Sequence, residues 1–149
     1  MRKWSVTVVA CLTVVVAMIV APAVGAEIGQ IKTLTGEVFI IRQNEQRSAQ
    51  AGDLLEQADI VVTGAASSVG ITFIDDSRFS AGPNSRIALE QFRFDPTTYD
   101  GVFRTKMQRG TLAILSGHIA NRTPDAMQVQ TPTSTLGVRG TKFLVKVEE

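Results

Sequence analysis

Cysteine, tryptophan, tyrosine and histidine each occur once in these 149 residues, as Cys11, Trp4, Tyr99 and His118. A lone cysteine excludes an intrachain disulfide, and one cysteine with one histidine cannot supply the usual ligand set of a zinc site. No charge predominates either: 15 Lys and Arg against 14 Asp and Glu give a net charge of +1, without any run of like charge. Surfaces that bind polyanions cluster Lys and Arg, so nucleic acid is not an expected partner. The one long apolar stretch, Val6 to Val20, is shorter than the ~20 residues that cross a hydrocarbon core.

That stretch reads as part of an export signal. Arg2 and Lys3 precede it, and Ala21-Pro22-Ala23-Val24-Gly25-Ala26 follows, with small residues at Val24 and Ala26. Positive, apolar and small residues in that order are what a secretory signal peptide requires. The expectation is a signal peptide over residues 1–26, cleaved after Ala26, and a domain over 27–149 in the periplasm or outside the cell. An uncleaved N-terminal anchor is the alternative. A lipoprotein cut before Cys11 is disfavoured, because it would strand Leu12 to Val20 on the product. Cleavage after Ala26 removes the only cysteine, so the remaining domain must be held by core packing, which its length permits.

The remaining chain has a strand pattern throughout. Val69, Ile71 and Phe73 share one face of an alternating segment, and Val38-Phe39-Ile40-Ile41 is a continuous apolar run, as in a strand covered on both faces. Further strands are expected at Ile28 to Leu34, Ile60 to Thr63, Leu112 to Leu115, Met127 to Gln130 and Phe143 to Val147. Gln43 to Gln50 reads as a loop, and Arg93 to Gly101 as a longer surface excursion. Ala49 to Ala58 alone has some helical composition, but Gly52 interrupts it, and no helix is expected. Gly36, Gly110 and Gly140 each precede a strand, which matches the need for glycine at tight turns better than it matches an internal repeat. The fold class is therefore all-β: a single domain of many short, mostly antiparallel strands, with sandwich, barrel and roll left open.

Catalytic patterns are missing. Any Ser-His-Asp arrangement would have to use His118, yet no serine lies on a G-x-S-x-G turn. Asp75 and Asp76 could join Asp53 or Asp59 around calcium, but EF-hand spacing is absent, and paired acids in a turn are ordinarily solvated. Phosphate-cradling glycine loops are also missing. Neither a cofactor nor a metal is expected, and a small-molecule ligand is not expected either.

The turns carry a resemblance. Gly52-Asp53-x-Leu55, Val62-Thr63-Gly64 and Val69-x-Ile71-x-Phe73-x-Asp75-x-Ser77 come first, then Gly82-Pro83-Asn84-Ser85-x-Ile87. Thr131-Pro132-Thr133 and Leu136-Gly137-Val138-Arg139-Gly140-Thr141-x-Phe143-x-Val145 close the series. In order and spacing these segments, from Gly36 to Val147, resemble the FecR family. Where that family's turn is Asp-Gly-Ser, this chain has Asp75-Asp76-Ser77; Asp tolerates the left-handed conformation, so the turn should survive. The iron-transport regulators that name the family also carry a sigma-factor-contacting segment, a membrane-spanning helix and a region contacting an outer-membrane transporter. This chain resembles their sensory module alone, so sigma-factor control is not carried over.

The resemblance implies a non-enzymatic envelope module for protein interaction or signalling, with another envelope protein as partner. Its motif residues, structural or binding, are Asp75, Ser77, Pro83, Asn84, Thr131, Pro132, Gly137, Arg139, Gly140, Thr141 and Phe143. Between its two glycines, Arg139 is expected to fold inward and satisfy loop carbonyls, with an anionic ligand as the alternative. Thr131-Pro132 should mark an edge or bend. A second reading is an envelope structural or glycan-binding protein, for which exposed aromatics near Tyr99 would speak; Phe92, Phe94 and Phe103 nearby are expected as satellite core. The terminal strand Lys142 to Val147 is the candidate for an open sheet edge, with Lys142 and Lys146 on one face.

Overall fold

Alternation of apolar and polar residues places one face of each strand inward, and the strands then have to close around that face. The computed structural model describes residues 25–140 and 142–148. The expected signal peptide lies outside them except for Gly25 and Ala26, as does Thr141. Twelve strands form one continuous sheet. They are β1 (Glu27–Thr35), β2 (Val38–Arg42), β3 (Glu45–Ser48), β4 (Leu54–Glu56), β5 (Ile60–Thr63) and β6 (Ser68–Phe73). There follow β7 (Arg78–Ala81), β8 (Arg86–Phe94), β9 (Gly101–Leu115), β10 (Met127–Gln130), β11 (Thr135–Val138) and β12 (Lys142–Val147).

The sheet is curled on itself, and β9 belongs to both of its leaves. Residues 101–109 of β9 pair with β8, and residues 103–106 pair with β10 on the other side, extending the series β3-β2-β5-β8-β9-β10-β11. Residues 110–115 of β9 lie between β7 and β12, in the series β4-β1-β6-β7-β9-β12. Only β9 and β10 run parallel among the described pairs. The all-β expectation holds, and the two leaves settle its architecture as a curled, mostly antiparallel sheet.

Phenylalanines join the leaves. Phe103 of β9 packs its ring 4.7 Å from Phe73, 5.2 Å from Phe79 and 4.8 Å from Phe92. Such pairs contribute roughly 0.5–1.5 kcal/mol each beyond the area they bury. Phe92 and Phe103 are thus central core, whereas satellite core was expected. Around them lie Ile31, Ile40, Leu55, Ile87, Leu89, Leu112 and Ile114, all buried.

Several local expectations are corrected. Residues 45–48, read as loop, form β3: all four are exposed and polar, and main-chain bonds to β2 hold them. Residues 101–111 belong to β9, whose apolar–polar pattern is obscured where it changes leaf. Gly110 therefore lies inside a strand, at that change, with φ of +96°, while Gly36 and Gly140 sit in turns with φ of +74° and +52°. Finally, His118–Arg122 forms a short helix, α1, which buries Ile119 and Ala120. Val38–Ile41 is buried at Val38 and Ile40 but only half-buried at Phe39 and Ile41, so one face alone is fully covered.

Candidate functional site

Three buried serines explain most of the turn motifs. Ser77 donates its hydroxyl to Asp75 Oδ2 at 2.7 Å and accepts the Gly117 N–H at 3.0 Å, tying the β6–β7 turn to the start of α1. A β-carbon on Gly117 would stand 2.1 Å from the Asp75 carbonyl oxygen, so this approach requires glycine. Ser85 donates to the Gly82 carbonyl at 2.9 Å and accepts the Thr111 N–H at 3.0 Å, tying the Pro83-Asn84 turn to β9. The Thr63 hydroxyl joins this knot, donating to Gly82 O and accepting from Ser85 N–H. Ser67 accepts the Glu37 N–H at 2.9 Å.

Asp75 is buried, which corrects the expectation of a solvated acid pair; burial pushes its carboxyl upward, against hydrogen bonds from Ser77 and Ile119 that lower it. Asp76, with φ of +66°, takes the left-handed position expected of it and is exposed. The four acids considered for calcium point to separate partners. Asp53 meets Arg47, Asp59 meets Arg42, Asp75 meets Ser77 and Asp76 meets His118. Among the described residues no three His, Cys, Asp or Glu side chains converge on a metal position.

Arg42 is a structural residue that sequence patterns did not disclose. Its guanidinium grips both oxygens of fully buried Asp59, at 2.8 and 2.7 Å, and Glu56 at 2.6 Å. The Asp59 hydrogen bond chiefly raises its pKa, opposed by burial.

The closing signature connects the two leaf edges. Thr131 and Pro132 lie in the β10–β11 turn, which Thr131 N–H closes on the Ser134 carbonyl at 2.8 Å, so the expected bend is present. Gly137 of β11 faces Asp125, and Gly140 faces Asn121. Arg139 points outward: its side chain is 72% exposed and lies 3.7 Å from Asp125. This corrects the inward placement, because the flanking glycines make room for Asp125 and Asn121 rather than for a buried guanidinium. Phe143 is half-buried against the core.

That segment leads into β12, which among the described residues pairs with β9 alone and leaves its other edge open. Phe143, Val145 and Val147 face inward, while Lys142, Leu144 and Lys146 face outward. Leu144 is 67% exposed, the most exposed of the large apolar side chains among the described residues. Beside it, register sets Arg78, Leu115 and Lys142 in one row across β7, β9 and β12, and Ser80, Ala113 and Leu144 in the next. Small Ser80 and Ala113 leave a shallow cleft of about 230 Å³, lined mostly by carbon and flanked by Arg78 and Lys142. No strand on this outer face between β6 and β12 carries an acidic residue. Leu144 was legible as an apolar residue at a polar register position, between two lysines.

Set against known families, residues 59–149 match the model described as FecR protein, 91 of 149 residues. The chain belongs to the FecR family. The FecR match opens at Asp59, the acid held by Arg42, and takes in every serine–glycine knot except that of Ser67 with Glu37. Strands β1 to β4 precede the FecR match yet complete the same sheet. Neither the curated proteins nor the solved structures contain a match.

A second surface lies where α1 meets the β6–β7 turn. The Tyr99 ring stacks on His118 at 4.4 Å, with Phe94 6.2 Å from each, and His118 Nε2 lies 2.9 Å from Asp76 Oδ2. Tyr99 is half-exposed. No helix among the described residues is long and apolar enough to cross a membrane.

Proposed function

We propose that this chain is an exported, non-enzymatic module of the bacterial envelope that acts by associating with other proteins there. Membership of the FecR family points to a signalling or regulatory module. The observation that carries the reading is the open edge of β12 with Leu144 exposed on it. Unpaired N–H and C=O groups along such an edge accept an extended segment, and neighbouring side chains select which one. A photo-crosslinking amino acid at position 144, in intact cells, tests it. Protein-sized adducts from this position, and none from the equivalent substitution at Thr97, are expected. No adduct from position 144 would count against the reading.

A glycan-binding role is the second reading, favoured by the half-exposed Tyr99–His118–Phe94 stack, since sugar rings stack on flat aromatic faces. Tyr99 is the only tyrosine, so its fluorescence reports directly on that surface once Trp4 is removed. Soluble cell-wall oligosaccharides should change that emission if the reading holds, and leave it unchanged if it does not.

A further inference from the structure

We infer that the open edge of β12 is filled by β12 of a second copy of this chain, the two strands running antiparallel about a two-fold axis at Val145. The inference rests on the reading of that edge as the binding surface and names its occupant.

Two copies of one strand can pair antiparallel in only a few registers, because shifting by one residue would bring an inward face against an outward one. With the axis at Val145, Lys142 lies opposite Glu148 of the second copy, and the symmetry repeats the pair. Leu144 lies opposite Lys146, whose methylene stem covers it. On the inner face Val145 meets its own counterpart, and Phe143 meets Val147. Both of these are incompletely buried within one copy, packed against the core from one side only.

Neighbouring registers lose these features. An axis at Leu144 sets Lys142 directly opposite Lys146 twice, and like charges directly opposite are destabilising. An axis at Lys146 sets that lysine against itself and leaves Lys142 beyond the paired strand. Further displacement shortens the overlap. Glu148 already lies 2.6 Å from Lys146 of its own strand. In the Val145 register each Glu148 therefore stands between two lysines, one from each copy. Pairing of two six-residue strands is a smaller contact than the ~1,200–2,000 Å² of stable interfaces, so the dimer is expected to be weak and concentration-dependent.

Sedimentation velocity over a concentration series, with hydrogen exchange on the same samples of the protein expressed from the full chain, tests this. Expected are a monomer–dimer equilibrium and β12 amides that gain protection as concentration rises. Lys142→Glu, at an exposed position, should weaken dimerisation about tenfold, since two attractive pairs become repulsive. Lys142→Glu combined with Glu148→Lys should restore it. A monomer at every concentration with unprotected β12 amides would overturn the self-pairing and leave the edge open to another protein. A dimer indifferent to Lys142→Glu would overturn it too, because another face would then be responsible. Uniform protection of β12 in the monomer would overturn both the pairing and the reading of the edge.

Discussion

The Ser85 hydroxyl stands 2.2 Å from the place a β-carbon on Gly110 would take, and Gly110 has φ of +96°. Gly110→Ala meets both a steric conflict and a backbone conformation unsuited to side chains, so a loss of roughly 3 kcal/mol or more is expected. Ser85→Ala alone should cost about 1–3 kcal/mol by leaving buried main-chain groups unpaired. Combining them should bring no rescue, since the Ser85 α-carbon would still lie 2.4 Å away. Denaturant unfolding of the three variants checks the order; recovery in the double variant would refute this account.

Arg42 and Asp59 are unequal partners. Arg42→Ala leaves a fully buried carboxylate with only the Glu56 N–H, whereas Asp59→Ala leaves a guanidinium that is one-third exposed and keeps Glu56 and the Leu54 carbonyl. Breaking buried pairs costs about 3–5 kcal/mol, and Arg42→Ala should fall at the upper end and Asp59→Ala below it. Urea midpoints of the two variants decide, and the reverse order would be a failure.

The raised pKa of Asp75 gives stability a definite pH dependence. Native Asp75 binds its proton more tightly than the unfolded chain does, so its contribution is fully present below the unfolded pKa near ~3.9. It is lost as pH rises through the higher native value. The stability of wild type relative to Asp75→Asn should therefore increase as pH is lowered towards about 4. A difference that stays flat, or shrinks on acidification, contradicts the burial of an ionisable Asp75.

Arg139→Ala should scarcely alter the melting temperature. Its contact with Asp125 is long and both groups are largely exposed, and surface pairs of that kind contribute about 0–1 kcal/mol. A loss of several degrees in thermal melting would show that Arg139 makes contacts beyond Asp125.

N-terminal sequencing of the protein from the envelope fraction should read from Glu27, after the small residues Val24 and Ala26. An intact Met1, or lipid on Cys11, would end the cleavage proposal.

Strands with one apolar face were legible in the sequence: β6 from Val69, Ile71 and Phe73, and β10 from Met127 and Val129. So was the Asp76 turn. Segments held mainly by main-chain bonds were not, β3 above all, because exposed polar residues carry no periodic signal. The short helix α1 escaped notice since its place depends on Gly117 meeting the Asp75 turn, a contact forty residues apart in the chain. Arg42 was missed for the same reason, its partners being Glu56 and Asp59. Of the proposed interaction surface, the lysines of β12 could be read directly. The row formed by Arg78, Leu115 and Lys142 requires knowing which strands are neighbours.

Because β9 is hydrogen-bonded into both leaves, with the Phe103 ring wedged between them, neither leaf can swing on the other without tearing the strand they share. Among the described residues, the two leaves have no hinge between them. Any message passed through the domain must be written at its margins, by which strand or surface is occupied, while the body between them behaves as a rigid block.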